Sequence, residues 1–449
     1  MLSTAQAAEI LGVSQRRVIA LVKQGDLPAE KIGGIWLLDE SAVRQRSAAP
    51  VPSGRPRMGQ KDRLALSEHT LMNAEHPVLD FMYDSKRHAI EITTTHDLRY
   101  APLGSGKGAV SAAQPLGEMR PNKYDLLAWL QHRYMPPLRP EARALLEEAQ
   151  VASVDMLMFG SLGLNLSDCF WFKPRGSRLT WAEVNFYENG YSFDPRAPMR
   201  TPDSSTPGML PKRWMRRDGI DVLMKGASSA EDREPYGELL ATRLLARLLE
   251  PDDFVPYELE LSEGRAYSVC PTIGSPGCEL IAARELVAFA GIEYKWSLYE
   301  AYAASCERLG VPDARRQLAK MIVCDYIMAN FDRHQGNFGL VRNPQTHEEL
   351  RIAPLFDNGA GFFSRATLAE LKARRYSYTA HPFCEYPTQQ LALAEDYSWY
   401  RPEALEGFGD EVREVLGSNP NLPEEFAEVA AQQVERSIQI VNEHAEERR

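Results

Sequence analysis

The N-terminal part of the chain shows two short stretches of helical periodicity followed by an alternating stretch. Apolar residues recur on one face over residues 5–11 and again over residues 18–22, and Ser14 is placed to cap the second stretch. Residues 31–38 then alternate around a Gly-Gly pair, which is typical of a two-residue hairpin turn. The pattern predicts two helices, of which the second ends at Gln24, followed along the chain by a β-hairpin.

From residue 64 onward, strand-like and helix-like stretches alternate. Residues 78–83 and 89–95 predict paired strands, and residues 214–217 and 220–225 predict a hairpin closed by an Asp-Gly turn. These alternating periods predict an α+β body. Residues 338–342 and 352–356 predict two further short strands, and the chain beyond residue 364 is mostly helical in pattern.

Composition places this chain among ordinary globular proteins. It has 449 residues, of which 44% are hydrophobic and 25% charged, so we expect about three domains and an ample core. Its six cysteines form no C-x-x-C pair, which predicts buried reduced thiols instead of disulfides or zinc. No signal-like N-terminus and no apolar run of about 18 residues is present. We therefore expect a cytoplasmic protein without a membrane partner.

Charge is divided unevenly along the chain. Residues 1–63 contain ten Lys and Arg and six Asp and Glu, which gives them a net charge of +4. Because the whole chain has a net charge of −11, residues 64–449 carry −15. A basic end on an acidic body favours a nucleic-acid-binding module at the N-terminus. Residues 48–66 are rich in Pro, Gly and small residues and predict a flexible basic linker.

The candidate chemistry is concentrated in the string "NFDRHQGNFG" and the later string "PLFDNG". Asn337 follows Asp332 by five residues, and Asp357 follows it by 25. This order of carboxylate, amide and carboxylate suits metal-assisted phosphoryl transfer, with Asp332 as base and with Asn337 and Asp357 as Mg²⁺ ligands. We expect Arg333 and His334 to brace the loop.

Three further features agree with a bound nucleotide. Lys225 ends the predicted hairpin, and Glu238 falls on the inward face of the following helix, so the two side chains are expected to pair beside the phosphates. Gly208 lies in a small-residue loop that would let backbone amides approach phosphate oxygens, although an ordinary surface loop is an equal alternative. The strand around Val269 would offer its backbone to an adenine ring, or would be a plain edge strand.

The first 40 or so residues, "TAQAAEILGVSQRRVIALVKQGDLPAEKIGGIWLLDESAV", resemble excisionase and MerR-type winged helix-turn-helix domains. The resemblance implies a recognition helix in the major groove of double-stranded DNA and a wing near the backbone. The alternative is a small protein-interaction module. The residues expected to contact DNA are Gln15, Arg16, Arg17, Lys23, Gly33 and Gly34.

Residues 71–363 resemble HipA-like serine/threonine kinases, the toxin class of bacterial toxin-antitoxin pairs. The strings that carry the resemblance include "LSDCFWFKP", "TPDSSTPGMLPKRWM", "DYIMANFDRHQGNFGLVRN" and "IAPLFDNGAGFF". It implies a two-lobed kinase-like fold, ATP and Mg²⁺, a protein serine or threonine as acceptor, and autophosphorylation of the phosphate loop, here at Ser204 or Ser205. The family also implies a cognate antitoxin, but this chain carries a DNA-binding module of its own, so a homodimer partner is the alternative.

These readings together predict the organisation of the chain and its activity. The predicted domains are a winged helix-turn-helix domain (1–47), a linker (48–66), an N-terminal kinase lobe with an accessory subdomain (67–270) and a mainly helical C-terminal lobe (271–449). Two alternatives to a protein kinase stay open: a DNA-binding regulator whose kinase fold senses nucleotide without phosphorylating a target, and a small-molecule phosphotransferase.

Overall fold

The protein is described by a computed structural model that covers residues 1–11, 13–23, 27–32, 35–48, 66–108, 119–191, 201–292 and 297–448. The chain falls into two compact units, Met1–Arg63 and Leu64–Arg449. Residues 49–65, which form nearly all of the predicted linker, and the predicted wing tip at Gly33 and Gly34 lie outside the described residues.

The N-terminal unit has the predicted pair of helices and the hairpin. Its helices are α1 (Thr4–Leu11), α2 (Gln15–Lys23) and α3 (Glu40–Ala48), and its strands are β1 (Leu2–Ser3), β2 (Ala29–Ile32) and β3 (Ile35–Leu38). The strands form an antiparallel sheet in the order β1-β3-β2. The apolar faces meet in a small core that contains Ala7, Ala8, Val18, Leu21, Leu27, Leu38 and Val43.

The second unit contains the remaining elements. Its strands are β4 (Leu66–Asn73), β5 (His76–Asp84), β6 (Ala89–Thr95), β7 (Gly106–Lys107), β8 (Arg120–Pro121), β9 (Phe170–Pro174), β10 (Lys212–Arg217), β11 (Ile220–Lys225), β12 (Glu258–Ser262), β13 (Arg265–Pro271), β14 (Glu279–Ala282), β15 (Gly339–Arg342) and β16 (Arg351–Ile352). Its α-helices are α4 (Lys123–Gln131), α5 (Ala142–Glu148), α6 (Val154–Gly160), α7 (Trp181–Val184), α8 (Phe186–Asn189), α9 (Arg233–Leu248), α10 (Ala283–Ala290), α11 (Leu298–Arg308), α12 (Ala314–Met328), α13 (Leu368–Lys372), α14 (Pro387–Leu391), α15 (Phe408–Gly417) and α16 (Glu424–Glu446).

A four-stranded antiparallel sheet in the order β6-β5-β4-β9 begins this unit. It confirms the predicted pairing of the two strands over 76–84 and 89–95. One face packs on α4 and α6 through a cluster of aromatic residues, in which Phe81, Trp129, Phe159 and Phe172 contact one another edge to face or at a tilt. We call the part of the unit from β4 to α8 the accessory subdomain, after the subdomain that the sequence predicts here.

The second sheet has the order β10-β11-β13-β12 and is antiparallel throughout. The predicted Asp-Gly turn joins β10 to β11, with φ of 50° at Asp218 and 82° at Gly219, as a two-residue turn of this kind requires. Helix α9 packs against the sheet through its apolar face, which includes Leu240, Leu244 and Leu245. Strand β13 is an interior strand, so the edge-strand alternative was wrong.

The rest of the unit is mainly helical and is built around α12 and α16. The apolar face predicted on α12 is confirmed, because Leu318, Met321, Ile322 and Ile327 are all buried there. Three short strands form a small sheet in the order β14-β15-β16. The last predicted strand is shorter than expected and lies earlier, at Arg351–Ile352 instead of residues 352–356, because Leu355 makes an isolated parallel bridge to Phe254 instead.

The fold class predicted from the sequence is confirmed: a small winged helix-turn-helix domain precedes an α+β body with a sheet-containing part and a mainly helical part. The six cysteines are free thiols, four of them buried (Cys169, Cys270, Cys306 and Cys324). None of the helices in the described part of the chain has the length and apolar character needed to cross a membrane.

Candidate active site

A buried lysine joins two carboxylates at the junction of the second sheet and the helical part. The Nζ of Lys225 lies 2.5 Å from Oε1 of Glu238 and 2.6 Å from Oδ1 of Asp357. The side chains of Lys225 and Glu238 are almost completely buried, whereas 36% of the Asp357 side chain is exposed. The predicted Lys225–Glu238 pair is therefore present, and the third predicted residue joins it.

Local structure explains this geometry. Lys225 is the last residue of β11 and stands opposite Ser268 of the interior strand β13, so its backbone position is fixed by the sheet. Glu238 lies in the second turn of α9, and its other oxygen, Oε2, accepts a hydrogen bond of 2.9 Å from the backbone N–H of Asn358. The Glu238 carboxylate thus connects the sheet to the loop that carries Asp357.

The charges of the cluster set the protonation of Asp357. Burial alone would raise the pKa of the Asp357 carboxyl, but the positive charges of Lys225, Lys212 and Arg333 outweigh burial and hold this pKa well below its ordinary value. Burial would lower the pKa of Lys225, but the charges of Asp357 and Glu238 raise it well above its ordinary value. The Asp357 side chain is consequently an anion with a partly open face, as a metal ligand must be.

The loop that carries Asp357 is pressed against α9. A Cβ added to Gly237 would lie 3.0 Å from the carbonyl oxygen of Gly359, and one added to Gly359 would lie 3.0 Å from the carbonyl oxygen of Glu234. Asp357 has a φ of 57°, and its backbone N–H donates to the hydroxyl of Tyr257 at 3.1 Å. Two glycines and one tyrosine therefore fix the position of this carboxylate.

The loop after α12 carries the two other predicted residues. The helix ends at Met328, and the φ of 53° at the next residue, Ala329, turns the chain out of the helix. The Nδ2 of Asn337 donates to the carbonyl of Asp332 at 2.9 Å, and the backbone N–H of Asn337 donates to His334. These bonds leave the Oδ1 of Asn337 as an oxygen that can bind a metal.

Arg333 braces this loop, as expected. Its guanidinium is fully buried and makes a two-pronged ion pair with Asp325, with both N···O distances 2.9 Å. The same group donates to the carbonyls of Asn337 (2.7 Å) and Phe356 (2.6 Å) and to the side chain of Asn358. One arginine thus links the loop of Asp332 and Asn337 to the loop of Asp357.

Asp332 is the carboxylate of the cluster that no buried partner holds. Among the described residues, none donates a hydrogen bond to its side-chain oxygens. Burial raises the pKa of Asp332, and the negative charge of Asp357 adds to this, while His334, Arg365 and His381 act in the opposite direction. A partly buried carboxylate with a raised pKa and free lone pairs suits a general base.

The predicted phosphate loop begins with a short 3₁₀ turn, Pro202–Ser205, in which both serines are buried. The hydroxyl of Ser204 donates to the carbonyl of Thr201 at 2.8 Å, and the carbonyl of Ser204 accepts from the backbone of Met135. Buried Arg139 of the accessory subdomain donates to the carbonyls of Asp203 and Thr206, at 3.1 and 2.9 Å. The accessory subdomain therefore holds the loop in place.

Gly208 lies at the exposed tip of the same loop, with a φ of 97° that favours glycine. Next to it is Lys212, whose Nζ donates to the carbonyl of Pro207 at 2.9 Å and would lie 2.4 Å from a Cβ added to Gly208. Burial, together with the charges of Lys225 and Arg139, lowers the pKa of Lys212 to about 8, against the pull of Asp357. Lys212 therefore adds a second cation to the Lys225 cluster.

The position of Val269 in the sheet does not suit binding of adenine by its backbone, which is one of the two alternatives that the sequence predicts. This residue stands opposite Met224 of β11 on one side and Glu258 of β12 on the other. Its backbone is therefore enclosed within the sheet, and a hinge for adenine would have to lie beyond Pro271, where the strand ends.

The donor set fits one Mg²⁺ that is shared with phosphates. In the described ranges, no group of three or more His, Cys, Asp or Glu side chains could hold a metal by itself. Mg²⁺ in nucleotide sites needs only one or two protein oxygens, because phosphates and water supply the rest. The Asp357 carboxylate and the Asn337 amide oxygen would be the two protein ligands.

Four of the six predicted DNA-binding residues lie on α2. Gln15 is exposed at the first turn of α2, and Arg16, Arg17 and Lys23 belong to the same helix. Val18 and Leu21 of this helix are buried in the core of the unit. Helix α2 therefore has an apolar side within the unit and a polar N-terminal end.

Sequence analysis missed several residues that shape the site: Lys212, Tyr257, Asp325, Asn358 and the close pair Gly237 and Gly359. Only Lys212 had a usable signal, because extending the predicted hairpin by two residues, to the observed start of β10, puts it opposite Lys225. The others act through contacts between elements that are distant in sequence, such as Tyr257 with Asp357.

Comparison with known proteins bears on both units. A family model described as a helix-turn-helix domain matches residues 1–46. The N-terminal unit is a helix-turn-helix domain. This match confirms the resemblance that the sequence predicted for that unit, and its strands β2 and β3 supply the wing.

A curated relative of the chain is a kinase. This relative, the serine/threonine-protein kinase CtkA of Helicobacter pylori, is 37% identical over an alignment 68 residues long, and the match covers 13% of this chain and 21% of that protein. The chain thus matches only about a fifth of that relative's length.

Two solved structures are also similar. A crystal structure of the proinflammatory kinase CtkA of H. pylori covers 53% of this chain and 94% of its own, with 17% identity and a TM-score of 0.41. A chain of the HipA, HipB and operator DNA complex of the Shewanella oneidensis MR-1 toxin-antitoxin system covers 84% of this chain and 98% of its own, with 12% identity and a TM-score of 0.49.

Proposed function

We propose that this chain is an ATP- and Mg²⁺-dependent protein kinase that phosphorylates serine or threonine. One observation carries the proposal: the unpartnered carboxylate of Asp332 lies on a loop that buried Arg333 ties to the loop of Asp357. Asp357 in turn is bonded to the buried pair of Lys225 and Glu238. A base, a metal-binding carboxylate and a phosphate-binding cation are the parts that phosphoryl transfer requires.

Each residue has a distinct task in this proposal. Lys225, held by Glu238, and Lys212 place positive charge beside the nucleotide phosphates. Asn337 and Asp357 would hold Mg²⁺, which neutralises charge on the phosphate oxygens when it is bound. Asp332 orients the acceptor hydroxyl and accepts its proton, and its raised pKa makes that transfer easier.

Phosphoproteomics in cells that produce the full chain tests this proposal. We expect phosphoserine or phosphothreonine on one or a few proteins in cells with the wild type, and none of these additional sites with Asp332→Asn. Asp252→Asn, at an exposed aspartate in the second unit, is the matched control and should resemble the wild type. Identical phosphoproteomes for all three proteins, with ATP still bound, would favour the nucleotide-sensing regulator instead.

We also propose that the N-terminal unit binds double-stranded DNA through Gln15, Arg16, Arg17 and Lys23 of α2, with Gly33 and Gly34 at the wing tip. The helix-turn-helix match and the net charge of +4 over residues 1–63 support this. In a mobility-shift assay of the full chain with its upstream DNA, Arg16→Ala/Arg17→Ala should weaken binding and reduce the salt slope by about two. Arg44→Ala, which removes an arginine paired with Glu40, is the control.

A single module of this size contacts few base pairs, so specific binding calls for a second one. We propose that a second copy of the chain or a cognate antitoxin supplies it, and that the protein acts in the bacterial cytoplasm as a regulator of transcription. Light scattering of the protein on its DNA site would distinguish a 2:1 complex of this chain from a complex that needs another protein.

A further inference from the structure

A cavity of about 370 Å³ opens beside Asp332 on the side of the helical part. Phe331, Tyr376 and Tyr378 supply its aromatic lining, Arg365 supplies a guanidinium and His381 an imidazole. The side chains of Ser377 and Thr379 complete it. Because the base is part of the wall, whatever enters this cavity meets the Asp332 carboxylate.

The side chain of Arg365 is held by a ring contact, but its charge is not balanced by an ion pair with any described residue. Its guanidinium carbon lies 4.5 Å from the centre of the Phe331 ring, a stacking that fixes the plane of the group and leaves its edge for an incoming anion. Arg365 is exposed and forms no ion pair with any described residue. An arginine in this state favours a carboxylate that approaches within the plane of the guanidinium.

The surrounding segment has the opposite charge from the body of the chain. Residues 365–381 contain four Lys and Arg and one Glu, whereas residues 64–449 carry −15 overall. Lys372 is paired with Glu425, but no ion pair to a described residue is formed by Arg365, Arg374 or Arg375. The cavity therefore lies in a basic segment of an otherwise acidic body, and Arg365 is the arginine that lines it.

We propose that this cavity is the acceptor site and that it selects a protein serine or threonine within an acidic segment, with Arg365 as the residue that determines this preference. The inference rests on the proposed kinase function, since it assigns the acceptor for the same Asp332. Tyr376 and Tyr378, whose rings stack at 6.1 Å, form the apolar wall against which the peptide backbone lies. Acidic residues near the acceptor hydroxyl meet Arg365.

Peptide binding to the full chain with ADP tests the preference without any transfer step. Fluorescence anisotropy would compare a serine peptide flanked by Asp and Glu, the same peptide with Asn and Gln, and one with Lys. We expect the acidic peptide to bind about tenfold more tightly than its amide analogue. Arg365→Glu should reverse the order in favour of the Lys peptide, and Arg308→Glu, at an exposed arginine of α11, should leave it unchanged.

Equal affinities for the three peptides, or the same effect for the variants at Arg365 and Arg308, would overturn the inference. Tighter binding of a single-stranded RNA oligonucleotide that competes through Arg365 would also overturn it, by identifying a nucleic acid as the ligand. A third outcome separates the two proposals. If the acidic peptide binds through Arg365 but receives no labelled phosphate, the peptide-binding surface is supported and only the kinase proposal is contradicted.

Discussion

The ammonium group of Lys225 lies 2.6 Å from the carboxylate of Asp357, although the two residues are 132 positions apart in the chain. This contact joins the end of a strand to the loop that would bind a metal. It is possible because Glu238 bonds to the Lys225 side chain and also to the backbone N–H of Asn358, the residue that follows Asp357. The geometry of the site therefore depends on a buried charge cluster, and its individual charges can be tested.

Removal of one charge from the cluster should cost more stability than removal of two. Lys225→Met leaves Glu238 buried without its partner, and we expect a loss of about 3–5 kcal/mol in the free energy of unfolding. The double variant Lys225→Met/Glu238→Gln should recover part of this loss, because no uncompensated buried carboxylate then remains at Glu238. Denaturant unfolding of the wild type, both single variants and the double variant gives the coupling energy. Additive single effects would contradict the account.

Arg333 should be a structural brace whose loss also disrupts the site. Arg333→Met removes the bonds to the carbonyls of Asn337 and Phe356 and leaves Asp325 buried without a cation. We expect a loss of about 3–5 kcal/mol in stability, measured by urea unfolding. Arg308→Met, at an exposed arginine, should change stability by less than about 0.5 kcal/mol. A loss of activity at full stability would instead give Arg333 a direct catalytic role.

Lys212 should make ATP binding sensitive to alkaline pH. The pKa of this lysine is lowered to about 8, so it carries its positive charge below pH 8 and loses it as the pH rises through that value. We therefore expect kcat/KM for ATP to fall above about pH 8, since this ratio reports the free enzyme. Lys212→Arg, which stays charged, should remove the fall and Lys212→Met should lower the ratio at all pH values. If kcat/KM of Lys212→Arg still falls above about pH 8, the fall is due to another titrating group.

Ser204 and Ser205 should be phosphorylated only when their loop leaves its place. Both side chains are buried, and the loop is held by Arg139 and Met135. A phosphate cannot be added there without loss of these bonds. After incubation with Mg-ATP, we expect slow phosphorylation of the peptide that contains both serines, with faster proteolysis around Gly208 and weaker ATP binding.

The double variant Ser204→Ala/Ser205→Ala tests this switch. It should take up no phosphate in the loop and should keep its affinity for ATP over time. Mass spectrometry that finds the same phosphate on the double variant, or a modified wild type whose ATP affinity is unchanged, would contradict it.

Those parts of the site that depend on short-range signals were predictable from the sequence. The Asp-Gly turn and the apolar face of the following helix predicted the pair of Lys225 and Glu238. The spacing within one loop predicted Asp332 and Asn337. Contacts such as Arg139 with Thr206, 67 residues apart, have no local signal, because an arginine in a helix-flanking turn is usually solvent-exposed. Only the three-dimensional arrangement shows that the accessory subdomain supports the phosphate loop.

Transfer of labelled phosphate from [γ-³²P]ATP to proteins of a cell lysate tests the central claim most directly. Purified wild-type chain with Mg²⁺ should label one or a few proteins on serine or threonine, and the label should be lost with EDTA. Asp332→Asn should bind ATP normally and reduce labelling by at least about 100-fold, since a positioned base contributes about that much or more. Equal labelling by the wild type and by Asp332→Asn would contradict the assignment of Asp332 as the base.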